Sequence, residues 1–214
     1  MTGLLTTEEE GKAFVRDRCD AGAMQKLELL VEKLGEENAI QNLVSANSLK
    51  QVWVRHIADS AQLLDHVPRE TPSLFDLGSG AGFPGLVIAA MRPGLRVTLV
   101  ESRKRRIDWL ERMVSELHLD TCVVEGRRLE AVEGQRVGAI TARAFAPLEK
   151  LLSLSARFST KDTTWALPKG RSAAQELRGV SRKWQRLFHV EQSITDPEAA
   201  ILVGRGVPKG KGAA

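Results

Sequence analysis

The chain has 214 residues, 43% of them hydrophobic and 27% charged, with a formal net charge of +4. That balance excludes a disordered chain. The best uncharged apolar stretch, Phe83 to Met91, falls far short of the ~18 residues a membrane-spanning helix needs. A chain of this length buries roughly 70% of the surface it exposes when unfolded, enough for a real core. The N-terminus carries Glu8, Glu9 and Glu10 and no apolar signal core, and Cys19 and Cys122 form no metal or redox spacing, so a cytoplasmic protein is expected. Charge is unevenly placed: residues 1–50 hold 6 basic and 9 acidic side chains, residues 161–214 hold 10 and 5. The basic last third suits a polyanion or is simply a solvated surface.

The first 65 residues read as helical. Leu27, Leu30, Val31 and Leu34 repeat at helical spacing, with Gly35 as the expected stop. A second stripe of Val52, Val54, Ile57, Ala61 and Leu64 follows Ser48, the expected cap. Pro68 and Pro72 separate this part from the rest of the chain. From Ser73 onward, short apolar runs alternate with amphipathic segments. Strands are expected at Leu74–Leu77, Arg96–Val100, Cys122–Glu125, Val137–Ala142, Thr163–Leu167, Arg186–Gln192 and Ala199–Gly204. Helices are expected at Gly85–Met91, Arg103–His118, Pro147–Arg157 and Ser172–Lys183. This alternation predicts an α/β protein with a doubly wound, mostly parallel seven-stranded sheet. The short connection through Pro197 makes the last two strands an antiparallel edge hairpin. Residues 1–68 form a helical extension, 69–206 the sheet domain, and the Gly- and Lys-rich residues 207–214 a disordered tail. The four tryptophans, Trp53, Trp109, Trp165 and Trp184, read as core residues rather than base-stacking platforms.

Asp76-Leu-Gly78-Ser-Gly80-Ala-Gly82-Phe83-Pro84-Gly85 lies between the first strand and its helix. A ligand at the carboxyl end of such a sheet passes close to backbone there, and glycine leaves no Cβ in its way. Glu101 ends the second strand, placed to take both hydroxyls of a ribose. Loop and acid together predict a nucleoside-containing cofactor. Gly80-Ala-Gly82-Phe-Pro-Gly85 formally satisfies the dinucleotide pattern G-x-G-x-x-G. Asp76 opposes that choice, because a carboxylate repels a pyrophosphate but anchors an amino group, directly or through water. The longer form Asp-x-Gly-x-Gly-x-Gly resembles the first motif of S-adenosylmethionine-dependent methyltransferases, whose cofactor has no phosphate. No G-K-[ST] follows the glycines, which excludes a Walker loop. The four histidines, His56, His66, His118 and His189, are scattered and suggest no metal site.

Several further blocks resemble the bacterial 16S rRNA guanine-N7 methyltransferase family, also called glucose-inhibited division protein B. They are Asn42-Leu-Val-Ser45, Val54-Arg-His-Ile-Ala-Asp-Ser60, Phe75 to Gly85, Thr98-Leu-Val-Glu-Ser-Arg-Lys-Arg-Arg106, Thr141-Ala-Arg-Ala-Phe-Ala-Pro147 and Leu167-Pro-Lys-Gly170. The resemblance implies a Rossmann-like class I methyltransferase with an N-terminal helical extension. It implies methyl transfer from S-adenosylmethionine to guanine N7 in the 530 loop of 16S rRNA, within the small ribosomal subunit. Another RNA or a small molecule is the alternative substrate. By motif, Gly78, Gly80 and Phe83 contact the cofactor beside Asp76 and Glu101, Leu129 and Glu130 flank its adenine, and Arg143 closes the site as the catalytic residue. Arg143 suits a bond to guanine O6 or a phosphate, or an ion pair with a carboxylate. Arg55, His56, Arg103 and Lys169 are the expected RNA contacts, with Arg55 and Asp59 able to pair along one helix face. No metal is implied, no membrane, and a monomer is the default expectation.

Overall fold

The computed structural model describes residues 3–208; most of the expected tail, 209–214, lies outside the described residues. The chain opens with α1 (Glu8–Arg16), α2 (Ala21–Asn38) and the short α3 (Ala46–Leu49). A π-helical turn, Trp53–Ala58, then runs into α4 (Asp59–Ala61) and a 3-10 turn, Gln62–Asp65. Thr7 and Glu10 form a reciprocal capping box that starts α1. Gly35 does not stop α2. The helix runs on to Asn38, whose Oδ1 accepts from the backbone N–H groups of Leu43 and Val44, both at 2.9 Å. Ser45, not Ser48, caps α3, because the helical turn begins at Ala46, six residues before the apolar stripe starts at Val52.

The sheet comprises β1 (Ser73–Leu77), β2 (Arg96–Val100), β3 (Cys122–Glu125), β4 (Ala139–Thr141), β5 (Thr164–Lys169), β6 (Phe188–Gln192) and β7 (Ala200–Arg205). The helices between them are α5 (Gly85–Met91), α6 (Lys104–Glu116), α7 (Leu148–Ser155), α8 (Ala173–Gly179) and α9 (Arg182–Gln185). Strand order is β3-β2-β1-β4-β5-β7-β6. The first five strands are parallel, and β7 runs antiparallel to both β5 and β6. The expected doubly wound sheet and its antiparallel edge hairpin are thus present. β1 is buried throughout, as a strand covered on both faces must be. The helix expected over Ser172–Lys183 is split. Val180 leaves the helical path in extended backbone to bury its side chain, and the Ser181 hydroxyl caps α9.

Two apolar clusters cover the two faces of the sheet. One joins Leu27, Leu30 and Ile57 from the N-terminal helices to Leu86, Val87 and Trp109, under Leu74, Val97 and Leu99. The other joins Leu151, Phe158 and Trp184 to Phe75, Leu77 and Ile140. All four tryptophans are buried in these cores. Strand order reverses direction between β1 and β4, and in open α/β sheets ligands bind at that switch, beyond the carboxyl ends of the strands.

Candidate active site

The loop after β1 turns over the end of β2. The N–H groups of Gly78 and Ser79 both donate to the Val100 carbonyl, at 2.8 and 3.1 Å. Gly78, Gly80 and Gly82 hold φ of +69°, +59° and +101°, a region L side chains rarely adopt. Glu101, 7% exposed, braces this turn: its Oε2 accepts from the Gly80 N–H at 3.0 Å. Its Oε1 accepts from the N–H groups of Ser102 at 2.7 Å and Arg103 at 2.9 Å. A carboxylate has about four acceptor sites, so Oε2 keeps capacity for a ribose hydroxyl. A Cβ on Gly78 would lie 2.6 Å from the Phe145 ring, and one on Gly80 2.9 Å from the Arg106 guanidinium. The loop therefore has no room for a side chain at either position.

Asp76 has no exposed surface. Its Oδ2 accepts from the Gly85 N–H at 3.2 Å and its Oδ1 from the Thr141 hydroxyl at 3.0 Å. Burial pushes its pKa up to about 6, against the opposing pull of Ser79, Thr141 and Gly85. Its carboxylate thus faces inward, tying the glycine loop to β4 and the start of α5. Of the adenine-flanking pair, Leu129 is buried and Glu130 exposed, at a 3-10 turn after β3. Arg157 donates to the Leu129 carbonyl and holds that turn.

Beyond β4, β5 and β7 opens a cavity of about 780 Å³, lined in part by Arg55, His56, Asp59, Arg143, Lys169 and Asp196. Arg143 follows β4 and donates from Nη1 to the Arg55 carbonyl at 3.3 Å, with Asp59 Oδ2 at 3.5 Å. Burial lowers its pKa, while Asp59 and Asp76 oppose that shift. Its guanidinium carbon sits 5.1 Å from the centre of the Phe83 ring, a favourable cation–π distance. His56 stacks on that same ring at 4.9 Å and 17°. Arg55 does not pair with Asp59 along the helix; its guanidinium meets Asp196 at 2.7 Å. Asp59 instead accepts from Thr195 at 2.8 Å and Gln62 at 2.9 Å. Lys169 pairs with Glu176 at 2.9 Å, and Arg103 stands exposed just before α6.

The structure brings Arg55, His56, Arg143 and Lys169 to one cavity wall, and Asp76, Gly78, Gly80, Phe83 and Glu101 to the adjoining loop. Arg103 lies outside the cavity, on the cofactor-loop side. Sequence reasoning named Phe145 and Arg106 only as members of their motif blocks and missed Thr195 and Asp196. Phe145 had a signal in its motif after β4; Asp196 had none, because its role depends on a partner at the other end of the chain. Among the described residues no group of His, Cys, Asp and Glu side chains could hold a metal.

A glycine loop after β1, an acid after β2 and this strand order define the class I S-adenosylmethionine-dependent methyltransferases. A methyltransferase of that kind from Aquifex aeolicus shares the fold at a TM-score of 0.56 and 14% identity, over 79% of this chain and 98% of that one. Residues 23–200 match the profile of GidB, rRNA small subunit methyltransferase G, and the chain belongs to that family. Ribosomal RNA small subunit methyltransferase G of Erythrobacter litoralis is 66% identical over 206 residues, 96% of this chain and 100% of the relative. Its counterpart in Novosphingobium aromaticivorans is 53% identical over 206 residues, 94% and 89% of the two chains. The methyl donor is S-adenosylmethionine, and the glycine cradle and Glu101 fit it.

Proposed function

We propose that the protein methylates N7 of a guanine in the 530 loop of 16S rRNA, acting as a monomer on the small ribosomal subunit. The observation that carries this reading is the juxtaposition of two sites. The glycine loop and Glu101 form one, and the Arg143, His56 and Arg55 cavity adjoins it across the Phe83 ring. A cavity of about 780 Å³ is of the size that holds a flipped-out nucleotide.

When bound, S-adenosylmethionine supplies an electrophilic methyl group on a sulfonium. Guanine N7 carries an in-plane lone pair and no proton, so no residue of the chain has to act as a base. The N7–C bond forms as the C–S bond breaks, its electron pair stays on sulfur, and positive charge passes to the purine. The chain's contribution is then alignment, worth several kcal/mol in reactions of this type. Gly78, Gly80 and Phe83 receive the cofactor, Glu101 takes its ribose, and Leu129 and Glu130 flank its adenine. Asp76 acts through the loop it braces. Arg143 orients the base through O6, and Arg55, His56, Lys169 and Arg103 contact RNA.

The test is methyl transfer from labelled S-adenosylmethionine to small subunits lacking the modification, with the modified base mapped. Label at N7 of the 530-loop guanine is expected. Binding of S-adenosylhomocysteine without label on subunits would redirect the search to other RNAs and small molecules.

A further inference from the structure

His56 is 7% exposed, yet neither of its ring nitrogens has a hydrogen-bond partner. Buried polar groups are nearly always satisfied, so this pair needs an account. Packing does not supply one: the ring stacks on Phe83 at 17°, a contact that a phenyl group would make equally well. The stack fixes the imidazole plane, both nitrogens are buried, and His56 is one of the residues that line the 780 Å³ cavity. The other polar groups beside it are already engaged, Arg55 with Asp196 and Asp59 with Thr195 and Gln62. Burial first, then the charges of Arg143 and Arg55, push the His56 pKa down to about 3. The ring is therefore neutral at physiological pH, with one N–H and one bare nitrogen.

Resting on the guanine-N7 reading, we propose that the bare nitrogen of His56 accepts a hydrogen bond from N1–H of the target guanine, with O6 left to the neighbouring guanidinium groups. Methylation at N7 makes the purine cationic and its N1–H a stronger donor. The bond to a neutral acceptor tightens as charge develops, which stabilises the transition state more than the ground state. Adenine has no proton at N1, so the same contact rejects it. A cationic histidine would place a third positive charge against the forming purinium; burial beside two arginines prevents that.

His56→Phe keeps the stack and removes the acceptor. Its methyl-transfer rate on small subunits should fall about 10- to 100-fold, the range for a hydrogen bond to a charged group. Its melting temperature and S-adenosylhomocysteine affinity should remain at the wild-type level. His56→Asn, which restores an acceptor oxygen, should recover part of the rate and guards against misfolding of the first variant. Wild-type turnover in His56→Phe would leave His56 a packing ring. Parallel loss of S-adenosylhomocysteine affinity would assign it to the cofactor, and equal loss in both variants would place the requirement in the ring. Any of these overturns the proposal. Mapping the base labelled by wild-type enzyme separates its failure from failure of the guanine-N7 reading.

Discussion

Asp76 shows how one buried carboxylate couples a loop to pH. Its folded-state pKa of about 6 lies above the ordinary 3.8, so the folded chain keeps a proton that the unfolded chain releases between those values. Stability from this group therefore falls as pH rises from about 4 to about 6, and is level above. Asp76→Asn should remove that slope, as read by denaturant unfolding across the same window; an unchanged slope would assign it elsewhere. Glu101→Ala should weaken S-adenosylhomocysteine binding by about 1.5–3 kcal/mol in calorimetric titration, with unchanged affinity sinking the ribose assignment. Arg143→Ala should lose most methyl transfer while its unfolding curve is retained; near-normal turnover would make Arg143 structural. Glu101 was legible in the sequence because an acid at the end of a second strand is a local signal. The inward turn of Asp76 was not, since spacing does not say which way a carboxylate faces. Nor was the Arg55–Asp196 pair, whose members stand 141 positions apart.

At the scale of elements, the strands were the most legible, because runs buried on both faces leave unbroken apolar stretches. Helix ends were less so. A glycine inside a helix costs only about 1 kcal/mol against alanine. The turn beyond Gly35 is held by an ion pair of Glu37 with Arg112 of α6, a contact that local pattern does not contain. The π-helical turn carrying Arg55 and His56 has a similar non-local support. Glu8 of α1 accepts from the N–H groups of Trp53 and Val54, both at 3.0 Å. Gly11 lets α1 come close enough, since a Cβ there would lie 3.0 Å from the backbone of Trp53 and Val54. Glu8→Ala should therefore destabilise the protein by about 1–2 kcal/mol and lower turnover through displaced His56 and Arg55. A melting temperature equal to wild type would show that the π-helical turn stands without α1.

For the whole molecule, a net charge of +4 is modest, but exposed basic residues recur in two stretches of the chain. Arg103, Lys104, Arg105, Arg127 and Arg128 are exposed beside the cofactor loop, and Arg171, Arg178, Arg182, Lys183 and Arg186 on the α8–α9 side of the cavity. Binding to small subunits should weaken steadily as salt rises, with a negative slope in log affinity against log concentration. A flat dependence would mean that phosphate contacts contribute little. Charge counting over segments made the basic last third visible, but not which of its side chains are exposed.

The cavity wall draws on both ends of the chain: Arg55 and Asp59 from the first quarter, Ser193, Asp196 and Ile201 from the last, with Leu5 donating to the Ile194 carbonyl at 2.7 Å. Chains emerge from the ribosome N-terminus first and fold as they do so. A nascent chain that already displays the glycine loop still lacks Asp196, the partner of Arg55, and Thr195, which donates to Asp59. The cavity wall closes only once those residues have been made. Folding of the cavity wall therefore waits on synthesis of the turn between β6 and β7, long after the helix that carries Arg55 and Asp59 has formed.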